Sequence, residues 1–289
     1  MIRPSNDMLT KRPTLRSMSI AIIGAGLAGV SAARALQPQN HPIELFEKSG
    51  GFGGRCATRR SDFGPFNHGA PRLHNLPEDL TEHLTKDQDG YRPPQGISTL
   101  ARDLAADLTV HLRHEIDALH HTPEGWQIDQ ATYATLILAI PAPQAARLLK
   151  NHPFTTRLQS VTADAQLTAM LAYDTPQHVT PNETITQVEP MDESHTRWVV
   201  HGSPEFTATH LEKEKAEIAQ LLAKAASETA PTYAAGHRWR YARTATPLGE
   251  PFLWDPTLRL GLCGDWCLGP SAGDAVKSGR ALAEHVASA

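Results

Sequence analysis

Patterning begins at Ser19-Ile20-Ala21-Ile22-Ile23, a continuous apolar run of the kind that marks a strand buried on both faces. Gly24-Ala25-Gly26-Leu27-Ala28-Gly29 follows at once, and Val30, Ala33 and Leu36 then recur at helical spacing until Pro38 halts the run. Ile43 to Phe46 reads as a second short strand that ends on Glu47. Strand, glycine turn, helix and strand make a βαβ unit. From 58 to 96 the pattern gives way to Pro, Gly, Asp and His, so a loop-rich stretch is expected there. Periodicity returns as a helix over 97–107, short strands near 110–119 and 125–129, and a buried-type strand from Thr135 to Ile140 stopped by Pro141. Alternating Leu167, Ala169, Leu171 and Tyr173 predict a further strand, with others near 184–188 and 197–201, before a charged amphipathic helix over 207–229. That block reads as an antiparallel sheet with a helix. A strand through Arg238-Trp239-Arg240-Tyr241, an apolar strand at 258–263 and a helix over 272–287 complete the chain.

Composition narrows the function classes. A hydrophobic fraction of 40% with 20 glycines in 289 residues is that of a globular protein, not a disordered or fibrous one. Lys plus Arg number 27 against 31 Asp plus Glu, a net charge of -4, which disfavours a nucleic-acid or anionic-membrane partner. No apolar run approaches the roughly 20 residues of a membrane span, so a soluble protein is expected. Cys56, Cys263 and Cys267 are too few for a disulfide scaffold and point to a reducing, cytoplasmic setting. Residues 1–17 are basic without an apolar segment and read as a loose tail before Met18.

The chemistry lies in three glycine-bearing segments. In Gly24-x-Gly26-x-x-Gly29 the first glycine permits a tight turn, the second lets backbone approach a pyrophosphate, and the third lets helix and strand pack closely. Phosphates then sit on the helix N-terminus, where free N–H groups and the dipole favour negative charge. Glu47, at the end of the next strand, is placed to accept the hydroxyls of an adenosine ribose. Gly51-Phe52-Gly53-Gly54-Arg55 offers a second close backbone approach with a guanidinium beside it. Leu260-Gly261-Leu262-Cys263-Gly264-Asp265 ends a strand on a carboxylate suited to a ribityl chain, ahead of a helix whose N-terminus favours negative charge.

Together these segments resemble the two-dinucleotide-fold flavoproteins of the amine oxidase superfamily, and within them the renalase-like branch. Leu138 to Ala145, His237-Arg238-Trp239-Arg240-Tyr241-Ala242-Arg243 and Cys263 to Leu268 carry the closest likeness outside the glycine segments. The resemblance implies an α/β chain: a discontinuous Rossmann-like FAD-binding domain (18–72, 96–146 and 236–289) and a smaller α+β substrate domain (73–95 and 147–235). It implies non-covalent FAD held by Gly24, Gly26, Leu27, Ala28, Gly29, Glu47, Lys48, Gly53, Gly54, Arg55, Ala70, Ile116, Ala139, Gly264, Asp265, Gly273, Asp274 and Ala275. It also implies oxidation of a 2- or 6-dihydro isomer of NAD(P), with hydride passing to flavin N5 and O2 as acceptor giving H2O2. Trp239, Tyr241 and Trp266 are expected as the pocket wall, because ring stacking is the main demand of that reaction. The chain departs from the branch after Ala70, where Pro71-Arg72-Leu73 replaces a polar–aromatic pair and a longer insertion, and in Pro270 to Ala275, which lacks the usual Arg and Glu.

Other residues read more plainly. His111, His114, His120 and His121 lack a metal-ligand spacing, and no metal is expected. Cys263 and Cys267 read as buried thiols, and Glu212 to Lys215 as the wet face of a helix. Two alternatives stand beside the renalase-like reading: a small amine oxidase or desaturase, and a flavin-binding protein that acts through a partner without catalysis.

Overall fold

The structure is a computed structural model, described here for residues 16–93 and 95–289. The tail expected over 1–17 lies outside the described residues as far as 15; Arg16 and Ser17 already belong to the first strand. In chain order the strands and helices are β1 (Arg16–Ile23), α1 (Leu27–Leu36), β2 (Ile43–Glu47), the hairpin β3 (Thr58–Ser61) and β4 (Gly64–Asn67), and the hairpin β5 (Thr85–Asp87) and β6 (Gly90–Arg92). Next come α2 (Thr99–Leu104), β7 (Thr109–Leu112), β8 (His120–Thr122), β9 (Gly125–Ile128), β10 (Ala131–Leu138), α3 (Ala142–Leu149) and α4 (Phe154–Gln159). β11 (Thr162–Ala172), β12 (Ile185–Pro190), β13 (Arg197–Gly202), α5 (Pro204–His210), α6 (Lys215–Ala226) and β14 (Tyr233–Thr246) form a second unit. β15 (Leu253–Asp255), β16 (Leu260–Leu262) and α7 (Ala272–Ser288) return the chain to the first.

The first sheet has the order β15-β16-β10-β1-β2-β7, parallel throughout except for β15, with β8 and β9 as an antiparallel extension of β10. Its strands are apolar on both faces because both faces are covered. Ile20 and Ile22 of β1 point into a core shared with α1 and α7, whereas Ala21 and Ile23 point into one shared with α3 and α4. This α/β, Rossmann-like arrangement brings the carboxyl ends of β1, β2, β7, β10 and β16 to one edge, and the order reverses between β1 and β10. Two stretches expected in the substrate domain pack on this unit instead: Leu73, Leu76, Leu80, Leu84 and Tyr91 join its first core, and Leu149, Phe154 and Leu158 its second.

The second sheet, β12-β13-β11-β14, is antiparallel. One face, with Leu167, Ala169, Leu171, Trp198 and Val200, packs on Ile218 and Leu222 of α6. The opposite face is apolar at one end, where Met170, Ala172 and Val199 meet Phe66 of β4. Towards the first unit it turns polar, through Thr168, Gln166 and His201. β14 is longer than its neighbour: Gln166 pairs with Trp239 but Asp164 with Arg243, so β14 bulges at Arg240–Ala242.

The helix expected over 207–229 is broken at 211–214, so Glu212 to Glu214 form a connection, not a helix face. The cause is tertiary. Arg238 of β14 donates to the Lys213 carbonyl, and Arg240 forms a bidentate pair with Glu212 at 2.6 and 2.7 Å. Among the described residues no helix is long and apolar enough to cross a membrane.

Candidate active site

A cleft of about 1860 Å³ runs along the carboxyl edge of the first sheet and under the polar end of the second. Its floor begins at the β1–α1 turn. Gly24 has φ +107°, the left-handed region in which a side chain would be strained. A Cβ on Gly29 would stand 2.0 Å from the Gly24 carbonyl oxygen, so this glycine allows helix to pack on strand. A Cβ on Gly26, by contrast, would meet nothing within 4 Å. The space it would fill is the cleft itself. Gly26 caps α1 without a side-chain hydrogen bond, which leaves the first N–H groups of the helix to a ligand. The second glycine segment lies against the first: Gly53 N–H donates to the Ala25 carbonyl at 3.0 Å, and Gly26 and Gly53 form a β-bridge. Two backbone turns thus make one cradle for a diphosphate.

Glu47 is buried beside this cradle and accepts N–H bonds from Ala25 at 2.9 Å and Ser49 at 2.8 Å. With Lys48 and Ile116 it lines the cleft. Arg55 sits elsewhere than a free phosphate ligand would. Its Nη1 donates to Asp265 at 2.9 Å and its Nη2 pairs with the other oxygen of that carboxylate; Thr244 donates to Asp265 at 2.8 Å. Asp265 is buried, so this pair offsets a charge that would otherwise be costly.

Leu27, Ala28, Gly54, Ala70, Ala139, Gly264 and Ala275 also line the cleft. Gly29, Gly273 and Asp274 do not. Gly273 is packed where a Cβ would strike the Asn75 carbonyl at 1.7 Å, and Asp274 closes a capping box with Ser271 at the start of α7. Trp239 and Tyr241 stand half-buried on β14 at the cleft wall. Trp266 also borders it but is 3% exposed, its indole N–H donated to the Ile140 carbonyl at 3.0 Å.

Sequence reasoning missed the residues beside Trp239. His68, His201 and His237 line the same end of the cleft. His237 lies 4.2 Å from Trp239 and 4.8 Å from His68 between ring centroids, and the Trp239 indole donates to the His68 carbonyl at 2.9 Å. Burial pushes all three imidazoles down to about 4; the nearby Arg59 adds to this at His68, the His68 ring at His201, and His68, Lys215 and Arg59 at His237. At neutral pH the cluster is uncharged. The available signal was the second face of β11, which runs Gln166, Thr168, Met170, Ala172 and so turns from polar to apolar along one strand.

The cleft is strongly basic in an acidic protein. Twelve Lys and Arg line it against three Asp and Glu, although the whole chain has 27 and 31. Arg59, Arg60, Arg113, Arg147, Arg243 and Lys215 have no acidic partner within 4 Å among the described residues. His111, His114 and His152 instead pair with Glu44, Asp129 and Asp255, and no group of side chains among the described residues could hold a metal. Burial pushes the Cys56 and Cys267 thiols up to about 12 and Cys263 well above its usual value.

Residues 22–86 match the family of NAD(P)-binding Rossmann-like domains. A 4,4'-diapophytoene desaturase from Staphylococcus aureus is 38% identical over 61 residues, which is 21% of this chain and 12% of the desaturase. The match therefore spans only a small part of that relative's length. Among solved structures, a protein provisionally assigned as a protoporphyrinogen oxidase from Exiguobacterium superposes with a TM-score of 0.69 at 15% identity, over 94% of this chain and 99% of the other. This chain shares its fold. Cyclohexylamine oxidase from Brevibacterium oxydans (TM-score 0.62, 13% identity, 94% and 99% covered) and putrescine oxidase bound to putrescine (0.64, 14%, 94% and 99%) share it as well.

Proposed function

We propose that this protein is an FAD-dependent oxidoreductase of renalase type, which oxidises a 2- or 6-dihydronicotinamide dinucleotide or a similar small reduced compound, with O2 as acceptor and H2O2 as product. The observation that carries the reading is the charge of the cleft. The two phosphates of FAD neutralise only part of its basic excess, so a second anionic ligand is favoured and a protonated amine is repelled. A dihydronicotinamide dinucleotide brings a second diphosphate; a small alkylamine or a polyene does not.

The residues present fit FAD. The open space at Gly26, the uncapped start of α1 and the Gly53–Gly54 loop suit the diphosphate, Glu47 the adenosine ribose, and Asp265 the ribityl hydroxyls through the lone pairs that Arg55 and Thr244 leave. Bound FAD supplies the hydride acceptor. The chain itself need move no proton at the reacting carbon, because the ring nitrogen of a dihydronicotinamide drives hydride out; Trp239 and Tyr241 orient the donor ring. The uncharged histidine cluster adds no fixed charge at that end of the site. A cytoplasmic setting belongs to the same reading, in keeping with three free cysteines.

The test is an anaerobic absorbance titration of the flavin-loaded protein with 2-, 4- and 6-dihydro isomers of NAD(P). Bleaching by the 2- or 6-isomers, with peroxide on admission of air, is expected. A flavin band that none of them bleaches would reject the substrate class and leave the amine-type or non-catalytic alternatives.

A further inference from the structure

We propose that His68, His201 and His237 form a carboxamide-recognition subsite at the substrate end of the cleft, with Trp239 as the platform for the ring that carries the amide. This rests on the dihydronicotinamide reading above and names the part of the substrate that the chain reads.

The subsite is built and incompletely satisfied. His201 is 4% exposed and its Nε2 has no hydrogen-bond partner; His68 is 7% exposed and its Nδ1 has none either. Such atoms are costly to bury unless a ligand completes them. The second His201 nitrogen, Nδ1, lies 3.0 Å from the Thr168 hydroxyl, which can donate or accept. His201 can therefore present Nε2 as donor or acceptor without strain. A primary carboxamide carries both kinds of group in one plane and matches either tautomer.

Charge separates the alternatives. An ammonium group would approach Arg59 and Lys215, both felt by His237 and neither balanced by an acid in the cluster. A carboxylate is drawn by the same cations, but it is acceptor-only and completes only a nitrogen that carries a proton, whereas the amide completes either tautomer. Trp239, held by its bond to the His68 carbonyl and tilted by 46° to the His237 ring, is the largest aromatic surface in the cluster.

The experiment uses the flavin-loaded protein and the shift of its flavin spectrum to measure Kd. The probes are 1,4,5,6-tetrahydro-NAD, whose ring cannot give up hydride, its carboxylic acid counterpart, and putrescine. The wild-type protein should bind the amide about tenfold or more tightly than the acid, and putrescine more weakly still. His201→Leu should bring the amide-to-acid ratio close to one, whereas His201→Gln, which restores a donor and an acceptor, should keep it. Should the leucine variant lose its flavin, the wild-type ratio still decides, beside Thr168→Val, which takes away the hydroxyl that satisfies Nδ1 in either tautomer and should lower the ratio. Equal or tighter binding of the acid or of putrescine by the wild type overturns the subsite. Bleaching by the dihydro isomers with no amide preference overturns the subsite alone; an amide preference without bleaching upholds it and rejects the hydride-transfer reading.

Discussion

The two ends of the cleft are made of different material. At the dinucleotide end the surface is backbone: Gly26 and Gly53 bridge, α1 presents free N–H groups, and the space that a side chain would fill is left open. At the end beside β14 it is side chain: three imidazoles and an indole from β4, β13 and β14 or the residues beside them. Backbone sites tolerate no substitution that adds bulk but need no particular neighbours. Side-chain sites are the reverse, since each ring depends on the packing that holds it.

The sharpest way to break this contrast is at the glycines. Gly26→Leu should leave a folded protein that retains no FAD, because its side chain enters open space; Gly29→Leu should not fold, because its Cβ meets backbone at 2.0 Å. The flavin-to-protein absorbance ratio, beside circular dichroism, distinguishes the two, and full flavin in the Gly26 variant would sink the cradle. A smaller loss is expected at the joint between the ends. Arg55→Met leaves Asp265 buried with Thr244 as its remaining side-chain partner and should cost about 2–4 kcal/mol in urea unfolding, partly recovered by adding Asp265→Leu. Equal stability of the wild type and the single variant would show the pair to be idle.

The response to acid is spread over a range of pH. Buried His68 and His201 and half-buried His237 are lowered to about 4 from the ordinary 6.5, so between those values the unfolded chain binds up to three protons more than the folded one. Their contribution is complete above pH 6.5 and is lost as pH falls towards 4. Denaturation midpoints taken through that window should decline more steeply for the wild type than for His201→Gln; parallel curves would mean that His201 titrates normally. The least effect is expected from thiol reagents at pH 8. Burial keeps all three cysteines protonated, so modification should await unfolding, and rapid labelling of the native protein would contradict their placement.

The contrast also explains what could be read from the sequence. The βαβ unit, Glu47 and the Gly264-Asp265 strand end are local patterns, each complete within a few residues, and the structure aligns them along one sheet edge. The histidine cluster joins positions 68, 201 and 237, which only strand pairing and the β3–β4 hairpin bring together. Metal-ligand spacing, the property weighed at His111, His114, His120 and His121, carries no information on this cluster, whose mark is its burial. The break at 211–214 was equally hidden, because no Gly or Pro marks it and Arg238 and Arg240 impose it from 25 or more residues away. The Arg55–Asp265 pair shows the limit of motif logic: each residue was legible as a ligand-facing group, but their attraction for one another was not.

β14 spends fourteen residues opposite the eleven of β11 while pairing with it at both ends. That surplus works like slack in a cable between two fixed anchors. The stretch holding Tyr241 can lengthen, shorten or re-aim without disturbing the ladder on either side, so this wall of the cleft can be retuned while the glycine turns at its other end stay as they are.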